Sequence, residues 1–84
     1  MSPFWPQGKP VPAGMAGDAP ARFSWQGQTH RVRDVSLHWR IHTEWWAGRE
    51  IWRDYWEVTT DSGFLCVLFQ DRSSGEVFLE RVLA

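Results

Sequence analysis

The sequence predicts an all-β fold: a five-stranded antiparallel meander curled into a small SH3-like or open barrel, preceded by a disordered Pro/Gly-rich N-terminal tail. Three observations carry that expectation. From Phe23 onward apolar residues alternate in short runs; two intervening segments, Asp61-Ser62-Gly63 and Asp71-Arg72-Ser73-Ser74-Gly75, have hairpin-turn chemistry; and all five prolines fall within the first twenty residues. Residues 1–20 are therefore read as a flexible tail and residues 21–84 as one small β domain, the most that 84 residues allow.

In the tail, prolines deny donors to any ladder and glycines raise the ordering cost with little apolar surface to offset it. Its Phe4-Trp5-Pro6 segment is the exception, readable as a short docking motif or as part of the domain surface. The first strand carries Phe23 and Trp25, Gln26-Gly27 offers a tight turn, and a second run begins at Thr29. In that run His30 and Val32 share one parity while Val35, Leu37, Trp39 and Ile41 share the other. A side-chain period of two cannot skip a beat without an extra residue, so a β-bulge or bend is expected near Arg33-Asp34. A helix over residues 35–44 is the rival reading, because Val35, Trp39 and His42 recur near helical spacing with no proline between them.

His42 to Arg49 lacks alternation and reads as a connecting loop with Trp45 and Trp46 as aromatic anchors. A third strand follows over Ile51 to Thr60, with Trp52, Trp56 and Val58 facing one way and Ile51 and Tyr55 the other. The last two strands run from Phe64 to Gln70 and from Glu76 to Leu83. Every residue from Phe64 to Phe69 is apolar, so both faces of that strand require cover. A sheet with one wet face does not supply it; rolling up, a second copy or a partner protein would.

Composition narrows the function classes. Net charge is −1, and from Ala21 onward eight arginines face nine acidic residues, which disfavours a polycationic nucleic-acid binder. Lys9 is the single lysine, and seven of thirteen aromatic residues are tryptophan. Arginine stacks on rings and makes planar bidentate contacts. The pairing suits a surface that grips something flat or anionic, or Trp and Arg that stack on each other and thicken a small core. Cys66 has no intrachain partner and fits a reducing cytosol. No signal-peptide pattern or long apolar run is present, so the expectation is a cytoplasmic protein with no membrane contact.

The residues carry no recognisable catalytic or metal-ligating pattern. His38 and His42 would chelate zinc on a helix, but on a strand they stand about 13 Å apart, so no metal or other cofactor is expected. There is no HExxH, phosphate loop or GxSxG elbow, and Cys66 lies in an apolar strand where a thiol is inert; no catalytic residue is assigned, and the expectation is that the protein is not an enzyme. Binding remains. The candidate partner-binding residues are Trp39, Arg40, Trp45, Trp46, Trp52, Arg53, Tyr55 and Trp56, with Trp25, Arg31, Arg33 and Arg40 as the alternative set for stacking and phosphate contact with single-stranded DNA.

The residues Trp39-Arg40, Trp45-Trp46, Arg53-Asp54-Tyr55-Trp56-Glu57-Val58, Asp61, Gly63, Leu68-Phe69, Asp71 and Gly75-Glu76-Val77-Phe78-Leu79 together resemble a known pattern. It is that of the small domain of unassigned function that closes ImuB-type homologues of Y-family DNA polymerases and also occurs as short free-standing bacterial proteins. The resemblance spans Phe23 to Leu83. It departs at Val77, where the family usually has an aromatic residue, and the polymerase body is absent. What the resemblance implies is context: an accessory module in DNA-damage tolerance by translesion synthesis, with a polymerase component as protein partner. Self-association as a homodimer and direct binding of primer-template or single-stranded DNA are the other expectations.

Overall fold

A computed structural model describes residues 4–44 and 50–83. Seven strands appear in chain order: β1 (Phe4–Pro10), β2 (Ala13–Ala16), β3 (Ala19–Trp25), β4 (Gln28–Glu44), β5 (Glu50–Thr60), β6 (Leu65–Asp71) and β7 (Val77–Val82). They form one antiparallel open sheet in the order β1-β7-β6-β5-β4-β3-β2.

The count of seven replaces the expected five. The meander read from the sequence is β3 to β7, and the segment read as a tail contributes β1, β2 and the start of β3. Pro6 and Pro10 lie on β1, an edge of the sheet where missing donors are tolerated, and Pro12 lies between β1 and β2. Gly8 (φ 81°) runs so close over the outer face that a Cβ there would lie 2.6 Å from Phe69 Cζ and 2.7 Å from Phe78 Cβ. Only glycine permits both that conformation and that approach.

Edges β1 and β2 are separated by Val11 and Pro12 alone, a link that spans at most about 11 Å from Pro10 to Ala13. The sheet must therefore roll until its two sides approach. The Val11 amide donates to Val77 O (3.1 Å), and Pro12 O accepts from the Ser24 amide (2.8 Å), so the link is bonded to β7 on one side and β3 on the other. Inside the curl lies the main core, built from Phe23, Trp25, Trp56, Val58, Cys66, Leu68, Val77, Leu79 and Val82, with Val11 from the link. Both-sided burial of β6 is thereby met: Cys66 and Leu68 face this core, while Val67 and Phe69 join Tyr55 in a second cluster on the outer side.

Local chemistry sets the hairpins. Gln26 (φ 52°) and Gly27 (φ 74°) are both left-handed, the conformation that a two-residue turn between twisted strands demands. Between β5 and β6, Thr60 Oγ1 accepts from the Phe64 amide (3.1 Å); between β6 and β7, Asp71 Oδ1 accepts from the Ser73 amide (2.8 Å). The expected bulge falls at Arg33, where the register steps from Val32↔Thr60 to Asp34↔Thr59. A second extra residue, Ser36, lies between Val35↔Val58 and Leu37↔Glu57. It turns Val35 away from Leu37, Trp39 and Ile41, correcting the single parity read for those four. Residues 35–44 are strand, not helix, and β4 runs to Glu44 where a loop was expected from His42.

Candidate functional site

Beyond its short pairing with β3, the 17-residue β4 leaves the body with β5 as a long hairpin. On its outer side the register lines up four rings across four strands: Trp39↔Tyr55, Tyr55↔Phe69 and Phe69↔Phe78. Their centroids are 5.3, 5.1 and 4.9 Å apart, and the first and last pairs are nearly parallel. Such cross-strand aromatic pairs stabilise a sheet beyond the area they bury. The Arg53 guanidinium lies 4.4 Å over the Phe69 ring and donates to the Tyr55 hydroxyl (3.1 Å). Cations and rings thus cover the outer cluster together with the β1 backbone at Gly8.

Around the β4 end of this ladder the cover stops. Leu37 is 56% exposed, Trp39 37%, Ile41 38% and Ile51 36%, all on the outer side. Sequence reasoning singled out Trp39 and Tyr55 but passed over Leu37, Ile41 and Ile51. The alternation of Leu37, Trp39 and Ile41 was the signal available for the first two.

The inner side of the same hairpin is polar. Asp54 is buried and accepts two hydrogen bonds from Arg40 on the facing strand, at 2.6 Å from Nε and 3.3 Å from Nη2. Arg72 Nη1 lies 3.3 Å from Oδ2, the oxygen that accepts from Arg40 Nη2, brought there by its own amide, which donates to Trp52 O (2.8 Å). His38 Nε2 lies 3.9 Å away. The hydrogen bond from Arg40 holds the Asp54 carboxyl below the usual carboxylate range; burial opposes this, and the charges of Arg40, Arg72 and His38 reinforce it. Reciprocally, the Asp54 hydrogen bond raises Arg40. His38 stacks on Trp56 (5.1 Å) and His42 on Trp52 (4.9 Å).

The expected partner-binding residues thus divide. Trp39, Arg40, Trp52, Arg53 and Tyr55 lie on the hairpin, Trp56 is a core residue at 1% exposure, and Trp45 and Trp46 fall outside the described residues. The alternative nucleic-acid set is not gathered into one platform. Trp25 is buried in the core, Arg33 pairs with Asp34 (3.5 Å), Arg40 is engaged by Asp54, and Arg31 faces Arg22 on β3. His30 is buried against Phe23, Trp25 and Phe64, its Nδ1 bonded to Ser62 Oγ (3.0 Å). Among the described residues no group of three His, Cys, Asp or Glu side chains could hold a metal ion, and no helix is long and apolar enough to cross a membrane.

Fold and site define a small antiparallel β domain with an aromatic hairpin, apolar on one side and ionic on the other. The chain belongs to the family described as Domain of unknown function (DUF6504), whose profile matches residues 6–80, from within β1 to within β7. No curated protein and no solved structure matches it.

Proposed function

We propose that the chain is a non-enzymatic interaction module that docks a partner protein on the outer side of the β4–β5 hairpin. The observation that carries this reading is the contiguous set Leu37, Trp39, Ile41 and Ile51, all at least 36% exposed, flanking a ladder of rings whose other members are covered. Single exposed apolar residues on a small domain need no explanation; four on one face of one hairpin mark an interaction surface. The fully buried Cys66 thiol, pushed up to about 12 by desolvation, offers no nucleophile, and the buried Asp54 is committed to its arginines.

The context we propose is the one implied by the resemblance to ImuB-type proteins: a cytoplasmic damage-tolerance assembly, with a translesion polymerase component as partner. The test is retention of that component on the immobilised full chain. A Leu37→Ser, Ile41→Ser double variant lowers the urea midpoint only slightly, because Leu37 is 56% and Ile41 38% exposed, and loses the retention. Equal retention by the double variant refutes the reading. A mass that doubles with concentration in light scattering, and returns to the monomer in the double variant, assigns the face to a homodimer instead.

A second reading, direct binding of single-stranded DNA, is favoured by the inner side, where Trp52 lies beneath His42 and 5.9 Å from the Arg72 guanidinium. Oligonucleotide quenching of tryptophan fluorescence at two salt concentrations tests it. Binding through phosphates weakens steeply with salt, and absence of quenching at low salt removes it.

A further inference from the structure

We propose that the β2–β3–β4 end of the sheet binds a terminal phosphate group on its outer side, in a cleft of about 190 Å³ to which Arg22, Ser24 and Thr29 present their donors. The site is separate from the docking face on the β4–β5 hairpin and does not depend on it.

Strand period puts these side chains on one side. Phe23 and Trp25 of β3 and His30 of β4 are buried, so Arg22 and Ser24, with Arg31 and Thr29 opposite them, point away from the core. Like charges directly opposite destabilise a sheet, and Arg22 is turned from Arg31 toward its other neighbour. A Cβ on Gly14 of β2 would lie 2.8 Å from Arg22 Cζ and 3.1 Å from both Nε and Nη1, so the guanidinium rests on the glycine backbone. Gly14 does not have a left-handed φ. What glycine supplies there is room, and the guanidinium fills it. Seated in this way, Arg22 forms one wall of the cleft, the Ser24–Thr29 pair a second, and the backbone of Pro12, Ala13 and Gly14 a third.

These donors are uncommitted. Among the described residues Arg22 has no ion pair, hydrogen bond or ring contact for its side chain, and the Ser24 and Thr29 hydroxyls have no hydrogen-bond partner. By contrast Arg33, Arg40, Arg53, Arg72 and Arg81 each have an acid or a ring. The acids of the neighbourhood are placed elsewhere. Asp61 accepts from the Arg31 amide (3.3 Å), Asp18 of the β2–β3 turn interacts with Arg40, and Glu76 lines an adjoining cleft that shares Pro12 and Ala13. None of the three lines the cleft at Arg22. Selection there is by directed donors and not by a regional excess of charge.

The donor set defines the ligand. A guanidinium fork gives two parallel N–H groups to two oxygens of one anion, and two hydroxyls serve a further oxygen. A carboxylate has two oxygens, and a phosphodiester two free ones, which the fork alone satisfies. A terminal phosphate has three, and it carries close to two negative charges.

The test is a titration of the full chain with inorganic phosphate and with methyl phosphate at pH 8, at ionic strength held constant with chloride and read by amide chemical shifts. Saturable shifts are expected at Ala13, Gly14, Ser24 and Thr29, with dimethyl phosphate and acetate at least about tenfold weaker. Preference for methyl phosphate assigns the site to an ester, and preference for inorganic phosphate assigns it to the free ion. Arg22→Gln should weaken binding at least about tenfold, about 1.4 kcal/mol. Gly14→Ala should do the same at an unchanged thermal midpoint, because its methyl displaces the end of a flexible side chain and no backbone. Arg31→Gln, which removes the same charge from the opposite strand, should weaken binding less than about threefold. Absence of saturable shifts overturns the site. Equal loss in Arg31→Gln and Arg22→Gln overturns it in favour of diffuse attraction, and dimethyl phosphate binding as tightly as methyl phosphate overturns the terminal group in favour of a nucleic-acid backbone. Full affinity in Gly14→Ala overturns the seat of the guanidinium.

Discussion

Replacing Asp54 by asparagine preserves shape and removes the charge around which the hairpin's ionic side is organised. A hydrogen bond to a charged group contributes about 1.5–3 kcal/mol when desolvated. Here the carboxylate is buried but Arg40 is 56% and Arg72 35% exposed, so both cations regain water when the charge goes. Solvent screening reduces the expected loss at pH 7 to about 1–2 kcal/mol, equivalent for a domain this small to a fall in Tm of about 5–10 °C. The pH dependence follows from the lowered carboxyl. An unfolded aspartate titrates near ~3.9, and the native group titrates below that. Its contribution is complete above the unfolded value and is lost as pH falls from there through the native one. Urea unfolding of both proteins by tryptophan fluorescence, at pH 7 and at steps below pH 4, should show the gap narrowing as acid is added. Equal stability at pH 7, or a gap that does not shrink in acid, would refute the electrostatic account of the hairpin.

Four further outcomes are expected. Gly8→Ala should destabilise by about 2–3 kcal/mol, from the left-handed backbone and the collision with Phe69 and Phe78; a thermal midpoint equal to the wild type would show that residues 4–10 are not part of the folded sheet. Cys66 should resist an aromatic disulfide reagent at pH 8 in the native protein and react fully in denaturant, since burial pushes its thiol up to about 12; reaction at the rate of a free thiol would contradict its placement in the core. Leu68→Ala, at a fully buried position between β5 and β7, should cost about 2–5 kcal/mol, measured as a shift of the urea midpoint at unchanged slope. Trp39→Ala should cost far less, because Trp39 stacks on Tyr55 from the surface.

Asp54 also shows what sequence reasoning reaches. Arg53-Asp54-Tyr55-Trp56 is legible as two opposed faces, and the fold bears this out: Tyr55 joins the outer ladder and Trp56 the core. The partners of Asp54 were not legible, because Arg40 arrives only once the bulges at Arg33 and Ser36 have set the register, and Arg72 only through the turn amide bonded to Trp52. Arginine against aromatic was readable in composition, and the fold uses it repeatedly, with Arg53 over Phe69 and Arg81 over Phe4.

What the sequence by itself determined is local: the strands from Phe23 onward, their turns, the first bulge and the two-sided burial of β6, each set by side-chain period and turn chemistry within a few residues. The tertiary structure alone decided the rest. Whether Phe4–Ala16 joins the sheet depends on two edges coming together across Val11 and Pro12, and whether Leu37 and Ile41 stay hydrated depends on which strands continue beside them. Both are long-range matters, fixed by how far a rolled sheet extends its ladders, and no local period encodes that reach.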